Sequence, residues 1–160
     1  MRLSVMAMDA TQHWTPPDWV YVNKRPTTDD AYFENLTRVI NTAGLNWNTV
    51  EAKWDGFKKA YRNFSIEKVS RFTEKDVERL MGDAGIVRNK AKITATIYNA
   101  AQMMNIRKEF GSFQTYLDGV DKSEGYSRVV ADLIKRFKHV GRSTAEMFLW
   151  SVGEDVNPAW

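Results

Sequence analysis

Leu133-Ile-Lys-Arg-Phe-Lys-His-Val-Gly-Arg-Ser-Thr-Ala-Glu-Met-Phe-Leu149 reads as two helical stretches hinged on one glycine. The first stretch ends near Phe137. Val140 points inward, Gly141 makes the bend, and a second helix starts at Arg142 or Ser143. The backbone N–H groups of residues 141–144, Ser143 and Thr144 included, then sit at a helix N-terminus, where an anion is favoured. Lys135, Arg136, Lys138 and Arg142 surround that point, and residues 133–145 contain no acid. A DNA phosphate suits such a place. A plain turn with a solvated basic face fits the same residues, because glycine after a helix and lysine near its end are common for structural reasons.

Outward from this hairpin the helical period continues in both directions. Tyr126, Val129, Val130, Leu133 and Phe137 share one side of the first helix, and Ala145, Phe148, Leu149 and Val152 line the second, so the unit spans about residues 126–152. Upstream, Tyr32, Phe33, Leu36, Val39, Ile40 and Ala43 form a stripe that stops at Gly44. Asn48 is placed to cap a second helix carrying Val50, Trp54, Phe57 and Tyr61. Thr73 and Asp76 resemble a capping box, Asn89 is placed to cap a longer helix through Ile93, Ile97, Ala100 and Met104, and Ser112 caps another. Strand-like alternation is nearly absent. The expected architecture is all-α, a compact helical domain over residues 28–160 with seven or so helices. Residues 1–27, with Pro16, Pro17 and Pro26, read as an irregular arm whose Trp14, Trp19 and Tyr21 pack it on the domain.

Composition narrows the function classes. The chain has 160 residues, 43% hydrophobic and 27% charged, in the range of one soluble globular domain. With no cysteine, disulfides, thiolate metal sites and thiol nucleophiles are excluded. No apolar run approaches the ~18 residues of a membrane span, and no signal peptide is read at the N-terminus. A cytoplasmic location, nucleoid-associated in a prokaryote, is the default. A net charge of +3 weakly favours a nucleic-acid partner. Glycine loops for phosphate, metal-ligand clusters and nucleophile–base motifs are all missing, so neither cofactor nor metal is expected.

Several segments together resemble a known family. Ala43-Gly44-Leu45-Asn46-Trp47-Asn48-Thr49-Val50 is similar to the AGLSWxTV stretch of the 3-methyladenine DNA glycosylase I (Tag) family. Asp83-Ala84-Gly85-Ile86-Val87-Arg88-Asn89-Lys90-Ala91-Lys92-Ile93 is similar to its DxGIIRNRxKI stretch, and Phe110-Gly111-Ser112-Phe113 to its FGSF. Val140-Gly141-Arg142-Ser143-Thr144-Ala145 resembles the hairpin of helix-hairpin-helix proteins, with His139 where that hairpin often has a further glycine. The resemblance covers roughly residues 28–153. It implies a helix-hairpin-helix glycosylase fold and monofunctional excision of alkylated purines, chiefly 3-methyladenine, from double-stranded DNA, by a protein expected to act as a monomer. Such enzymes flip the base into a pocket and read it by stacking and hydrogen bonds.

The resemblance assigns Trp47 to the base pocket, with Tyr21 and Trp19 as further pocket aromatics. The same rings would serve equally as core or as anchors of the arm. Arg88, Lys90 and Lys92 lie in a stretch, Ile86 to Lys108, with five basic residues and no acid, suited to the DNA backbone or to a solvated helix face. Where the family carries a base-recognising Glu, an ungapped count from Gly44 places Val39, which cannot accept a hydrogen bond. Glu34 lies about 140° away around the helix at 100° per residue. Asn41 and Asp155 are the other weak candidates for assisting hydrolysis. The family's zinc clip needs two Cys and two His, and His13 and His139 alone cannot rebuild it. Two alternatives stay open beside the glycosylase, namely a helix-hairpin-helix DNA-binding protein without catalysis and a helical protein-interaction domain.

Overall fold

A computed structural model describes residues 15–158 of the chain. Trp14, His13 and Trp160 lie outside the described residues. Among the described residues there are nine α-helices and no strand, the all-α architecture expected from the periodicity.

Helix α1, Asp29–Thr42, is the axis of the domain. Thr28 caps it by accepting the N–H of Ala31 at 3.1 Å, and Asp29 and Asp30 complement the positive end of the helix dipole. Eleven of its fourteen residues are buried, five of them polar side chains besides Asp29. Part of that polarity is absorbed by the helix's own carbonyls. The Thr37 hydroxyl donates to Phe33 O, the Asn41 amide to Thr37 O, and the Thr42 hydroxyl to Arg38 O. Asp29 is buried at the start of the helix and accepts from Arg107 Nε and from the N–H of Phe113, both at 2.8 Å.

Helices α2, Trp47–Ala52, and α3, Trp54–Ala60, replace the single helix that the Val50–Tyr61 stripe suggests. The cap is Asn46, whose side chain accepts the N–H of Asn48, so Asn48 itself lies inside the first turn. The chain breaks at Lys53, and α3 then brings Gly56 against Gly85. A Cβ on Gly56 would lie 2.1 Å from Gly85 O, so only glycine permits this approach. The stripe survives the break because Val50, Trp54, Phe57 and Tyr61 all still reach the core.

Next come a short turn Arg62–Phe64, α4 (Ile66–Val69), α5 (Glu74–Met81) and the longest helix, α6 (Lys90–Phe110). At α5 the Thr73 N–H donates to Asp76 at 2.9 Å, the Asp version of a capping box. Helix α6 is capped by Asn89, packs on α1 and α4, and stops at Gly111, φ +92. Helices α7 (Phe113–Gly119), α8 (Ser123–Arg136) and α9 (Arg142–Ser151) complete the fold. Regular geometry in α8 begins only after Tyr126, since Glu124, Gly125 and Tyr126 turn left-handed.

Residues 15–28 carry no helix or strand and are stitched down from the far end of the chain. The N–H of Tyr21 donates to Ser151 O at 2.9 Å. The buried amide of Asn35 on α1 donates to Trp19 O, Ser151 O and Ser151 Oγ. Arg25 pairs with Asp118 at 2.9 Å and Glu154 at 3.3 Å, and Gly153, φ +86, presses on Lys24 O.

Candidate functional site

The hairpin between α8 and α9 has two kinds of residue. Phe137 and Val140 are buried and hold it to the core. Lys138, His139, Gly141, Arg142 and Ser143 face solvent, with Thr144 half-buried. Gly141 caps α9 in an extended conformation and brings no side chain to the N–H groups of the first turn. Those of Arg142, Ser143 and Thr144 therefore open outward, and the dipole of a ten-residue helix adds to them. The one acid nearby, Glu146, meets Arg142 at 3.5 Å on a side chain that is 83% exposed, a contact of little strength.

His139 has φ +59, the left-handed region. The hairpin keeps the geometry that glycine would adopt freely and imposes it on a histidine, at a cost of order 1 kcal/mol. A buried side chain helps hold it there. Asn99 of α6, 1% exposed, accepts the N–H of Lys138 at 2.8 Å and donates to Lys138 O at 3.1 Å. The ammonium of Lys138 lies 4.2 Å from the ring of the exposed Tyr98.

Arg88 and Lys90 are exposed on either side of the Asn89 cap. Two residues on, Lys92 donates to Ala43 O at 3.1 Å, which ties this basic helix start to the turn leading into Trp47.

Trp47 begins α2 and is 9% exposed. Its ring lies 5.8 Å from that of Trp19, tilted by 38°, and both line a small cavity with Pro17, Arg38, Thr42, Val50 and Glu51. The arm and α2 thus place two indoles on one slot, and α1 closes it with Arg38 and Thr42. The cavity is about 30 Å³, room for little more than a water.

Arg38 is the least foreseen member. Its guanidinium carbon lies 4.8 Å from the ring of Trp19 and 4.8 Å from that of Trp54. Burial lowers its pKa to about 10, and the charges of Glu51 and Glu34 oppose that shift, so it stays a cation at neutral pH.

The remaining candidates separate. Glu34 shares the α1 face of Arg38 and Thr42, one turn apart each, and its carboxylate accepts the indole N–H of Trp54 at 2.9 Å. It therefore stands behind the wall of the slot, on a face that an angle measured from Val39 does not describe. Val39 itself is core, 1% exposed. Asn41 is buried and turned onto its own helix. Asp155 is exposed and its N–H meets the Tyr126 hydroxyl, apart from the residues lining the slot. Tyr21 is not a lining residue, but it is near enough to Glu34 that burial and then that charge raise its pKa. Sequence reasoning missed Arg38, Thr42 and Glu51. The signal available for them was the four-residue spacing from Glu34 through Arg38 to Thr42, and from Trp47 to Glu51. Among the described residues, no three His, Asp or Glu side chains gather to hold a metal, and no helix is long and apolar enough to cross a membrane.

Known proteins are similar to this chain in sequence and in fold. DNA-3-methyladenine glycosylase 1 of Escherichia coli K12 is 28% identical over an alignment of 165 positions that covers 88% of each chain. The DNA-3-methyladenine glycosylase of Haemophilus influenzae is 24% identical over 139 residues, covering 76% of this chain and 75% of the relative. The solved structure of 3-methyladenine DNA glycosylase I from Staphylococcus aureus is 26% identical, covers 87% of this chain and 84% of that one, and superposes with a TM-score of 0.74. A second solved structure, a variant of 3-methyladenine DNA glycosylase I in complex with 3-methyladenine, is 25% identical with the same TM-score of 0.74. The sequence profile for methyladenine glycosylase matches residues 17–146, from the arm that carries Trp19 to the second helix of the hairpin. Since one continuous match takes in the slot, the basic start of α6 and the hairpin, the chain belongs to the methyladenine glycosylase family.

Proposed function

We propose that this protein is a monofunctional DNA glycosylase that hydrolyses the N-glycosidic bond of alkylated purines such as 3-methyladenine in double-stranded DNA. The observation that carries the reading is the pairing of Trp47 and Trp19 across one slot, beside a helix start tied to the same turn by Lys92. In this reading the outward N–H groups of α9 and the side chains of Lys138 and Arg142 hold a backbone phosphate, and Arg88 and Lys90 hold a second. Such contacts position the duplex without reading its sequence. The target nucleotide leaves the stack and its base lies against Trp47, where base–aromatic stacking contributes about 1–3 kcal/mol.

Hydrolysis breaks the C1′–N bond; the alkylated base takes the bonding pair and leaves neutral, while water supplies the hydroxyl at C1′ and loses its other proton to solvent. Alkylation of a ring nitrogen has already weakened that bond, so a pocket without the family's Glu on α1 is still able to act. Glu34 takes the supporting part of orienting Trp54 rather than touching the base.

The test is release of free base from methylated duplex DNA, read by chromatography. Wild-type protein is expected to release methylated purines and leave abasic sites, and Trp47→Ala to lose at least about tenfold of that rate. Pure protein that releases no methylated base refutes the proposal. Val39 favours one second reading, a DNA-binding protein without turnover, which predicts duplex affinity with no base released at all.

A further inference from the structure

Asn35 uses its buried amide differently from its polar neighbours on α1. Thr37, Asn41 and Thr42 bond to carbonyls of their own helix, whereas Asn35, 4% exposed, reaches two segments 16 and 116 residues away. Its nitrogen lies 3.2 Å from Trp19 O, 3.1 Å from Ser151 O and 3.3 Å from Ser151 Oγ. The two carbonyls can only accept, and the Ser151 hydroxyl gives its own proton to Phe148 O at 2.7 Å. All three therefore call for a donor, which assigns the amide nitrogen and not its oxygen to this side. Ser151 ends α9, and its carbonyl is one of those with no acceptor role inside the helix. The N–H of Tyr21 donates to the same oxygen at 2.9 Å, so α9, the arm and α1 meet at this one atom.

Trp19 is thereby held at its backbone and at its ring. Asn35 takes the carbonyl, and Arg38, three residues further along α1, lies 4.8 Å from the indole. That ring lies 5.8 Å from the ring of Trp47, so the place Asn35 gives to the Trp19 backbone sets the width of the slot. The same amide is bonded to the last residue of α9, and the first turn of α9, about 15 Å away, carries the phosphate contacts of the glycosylase reading. We propose that Asn35 is a positioning residue for base excision, which fixes Trp19 opposite Trp47 and registers that wall to the helix that holds the duplex. The inference rests on the glycosylase reading, because it assumes that the flipped base lies against Trp47.

Single-turnover release of methylated base, with protein in excess over methylated duplex, separates the limiting rate from duplex affinity. Asn35→Ala is expected to lower the limiting rate by at least about tenfold, because small misplacements around a reacting group are costly. The protein concentration at half-saturation should stay within about twofold of wild type, since the phosphate contacts are untouched. Trp19→Ala should also be slow, and adding Asn35→Ala to it should slow release no further, because Asn35 acts through Trp19. Losses that multiply in the double variant overturn the proposal, as does a limiting rate for Asn35→Ala within about twofold of wild type. If Asn35→Ala does not fold, Asn35→Ser is read in the same cycle. Fluorine NMR of protein labelled with 5-fluorotryptophan needs no turnover. Asn35→Ala should displace the Trp19 line, assigned through Trp19→Phe, and leave the Trp54 line in place; an unmoved Trp19 line overturns the proposal. If wild-type protein releases no base, the glycosylase reading falls, while the fluorine spectrum still decides whether Asn35 holds Trp19.

Discussion

Asn99→Ala should loosen the hairpin between α8 and α9 from inside the protein. Asn99 belongs to α6, is buried, and makes two hydrogen bonds to the backbone of Lys138, at 2.8 and 3.1 Å. Each contributes about 1 kcal/mol net, and the Lys138 backbone lies near the surface, where water can replace part of what is lost. Removing the amide from a buried position leaves a gap that adds to this, for a total of about 2–3 kcal/mol. For a chain of this size each kcal/mol moves the midpoint by roughly 2–4 °C, so Tm should fall by about 4–12 °C in a circular-dichroism melt. The same variant should bind duplex DNA more weakly, because the left-handed turn at His139 and the N–H groups after Gly141 lose their fixed placement. It removes no phosphate contact, so the dependence of affinity on salt between about 50 and 200 mM should keep the wild-type slope. A Tm within about 1 °C of wild type, or a flattened salt slope with Tm unchanged, would refute the argument that Asn99 clamps the hairpin.

His139→Gly relieves the left-handed turn but adds backbone freedom to the unfolded chain, for a net gain of about 0.5 kcal/mol; a loss of stability in urea titration would show that the imidazole is anchoring the turn. Gly56→Ala forces a Cβ into Gly85 O and should cost at least about 2 kcal/mol, whereas Gly119→Ala, which meets nothing within 4 Å, should leave the melt nearly unchanged. Burial pushes the Asp132 carboxyl up, but hydrogen bonds from Tyr116 and Arg136 outweigh it and hold the group below its usual range. A depressed carboxylate stabilises the fold above its unfolded pKa near about 3.9 and ceases to as pH falls through the folded value. Asp132→Asn should therefore narrow the gap in urea midpoint between neutral and strongly acid solution, and an unchanged gap would count against the linkage.

Much of the fold could be read before the structure because its signals are local. The hairpin announces itself through a buried Val140, a Gly141 and a run of basic residues, all within one turn of chain. The caps at Asn89 and Ser112 are read correctly for the same reason. Asn46 and Asn48 show the limit, since both are good caps and only the backbone angles at Asn46 decide between them. The site is harder. Arg38 looks like a solvated helix residue in sequence, because lysines and arginines almost always are. What buries it is the arm, which arrives from elsewhere in the chain with Trp19. Glu34 misleads in a related way: its angle from Val39 is correct, but the face that matters belongs to Arg38 and Thr42. The left-handed run Glu124–Tyr126 has a glycine only at its middle and carries no signature that would have shortened α8.

The stitches between the arm and the end of α9 have a consequence for the order in which the molecule is made. Trp19 forms one wall of the slot, yet its segment is held by Ser151, Gly153 and Glu154, about 130 residues later in the chain. A ribosome delivers the N-terminus first. The arm must therefore wait, through synthesis of nearly the whole domain, for the partners that seat it. Its contacts are among those of longest sequence separation, the kind whose loop-closure entropy must be met before they reward folding. The slot between Trp19 and Trp47 is thus completed late in the life of the nascent chain, and the nascent domain acquires its hairpin and its slot together.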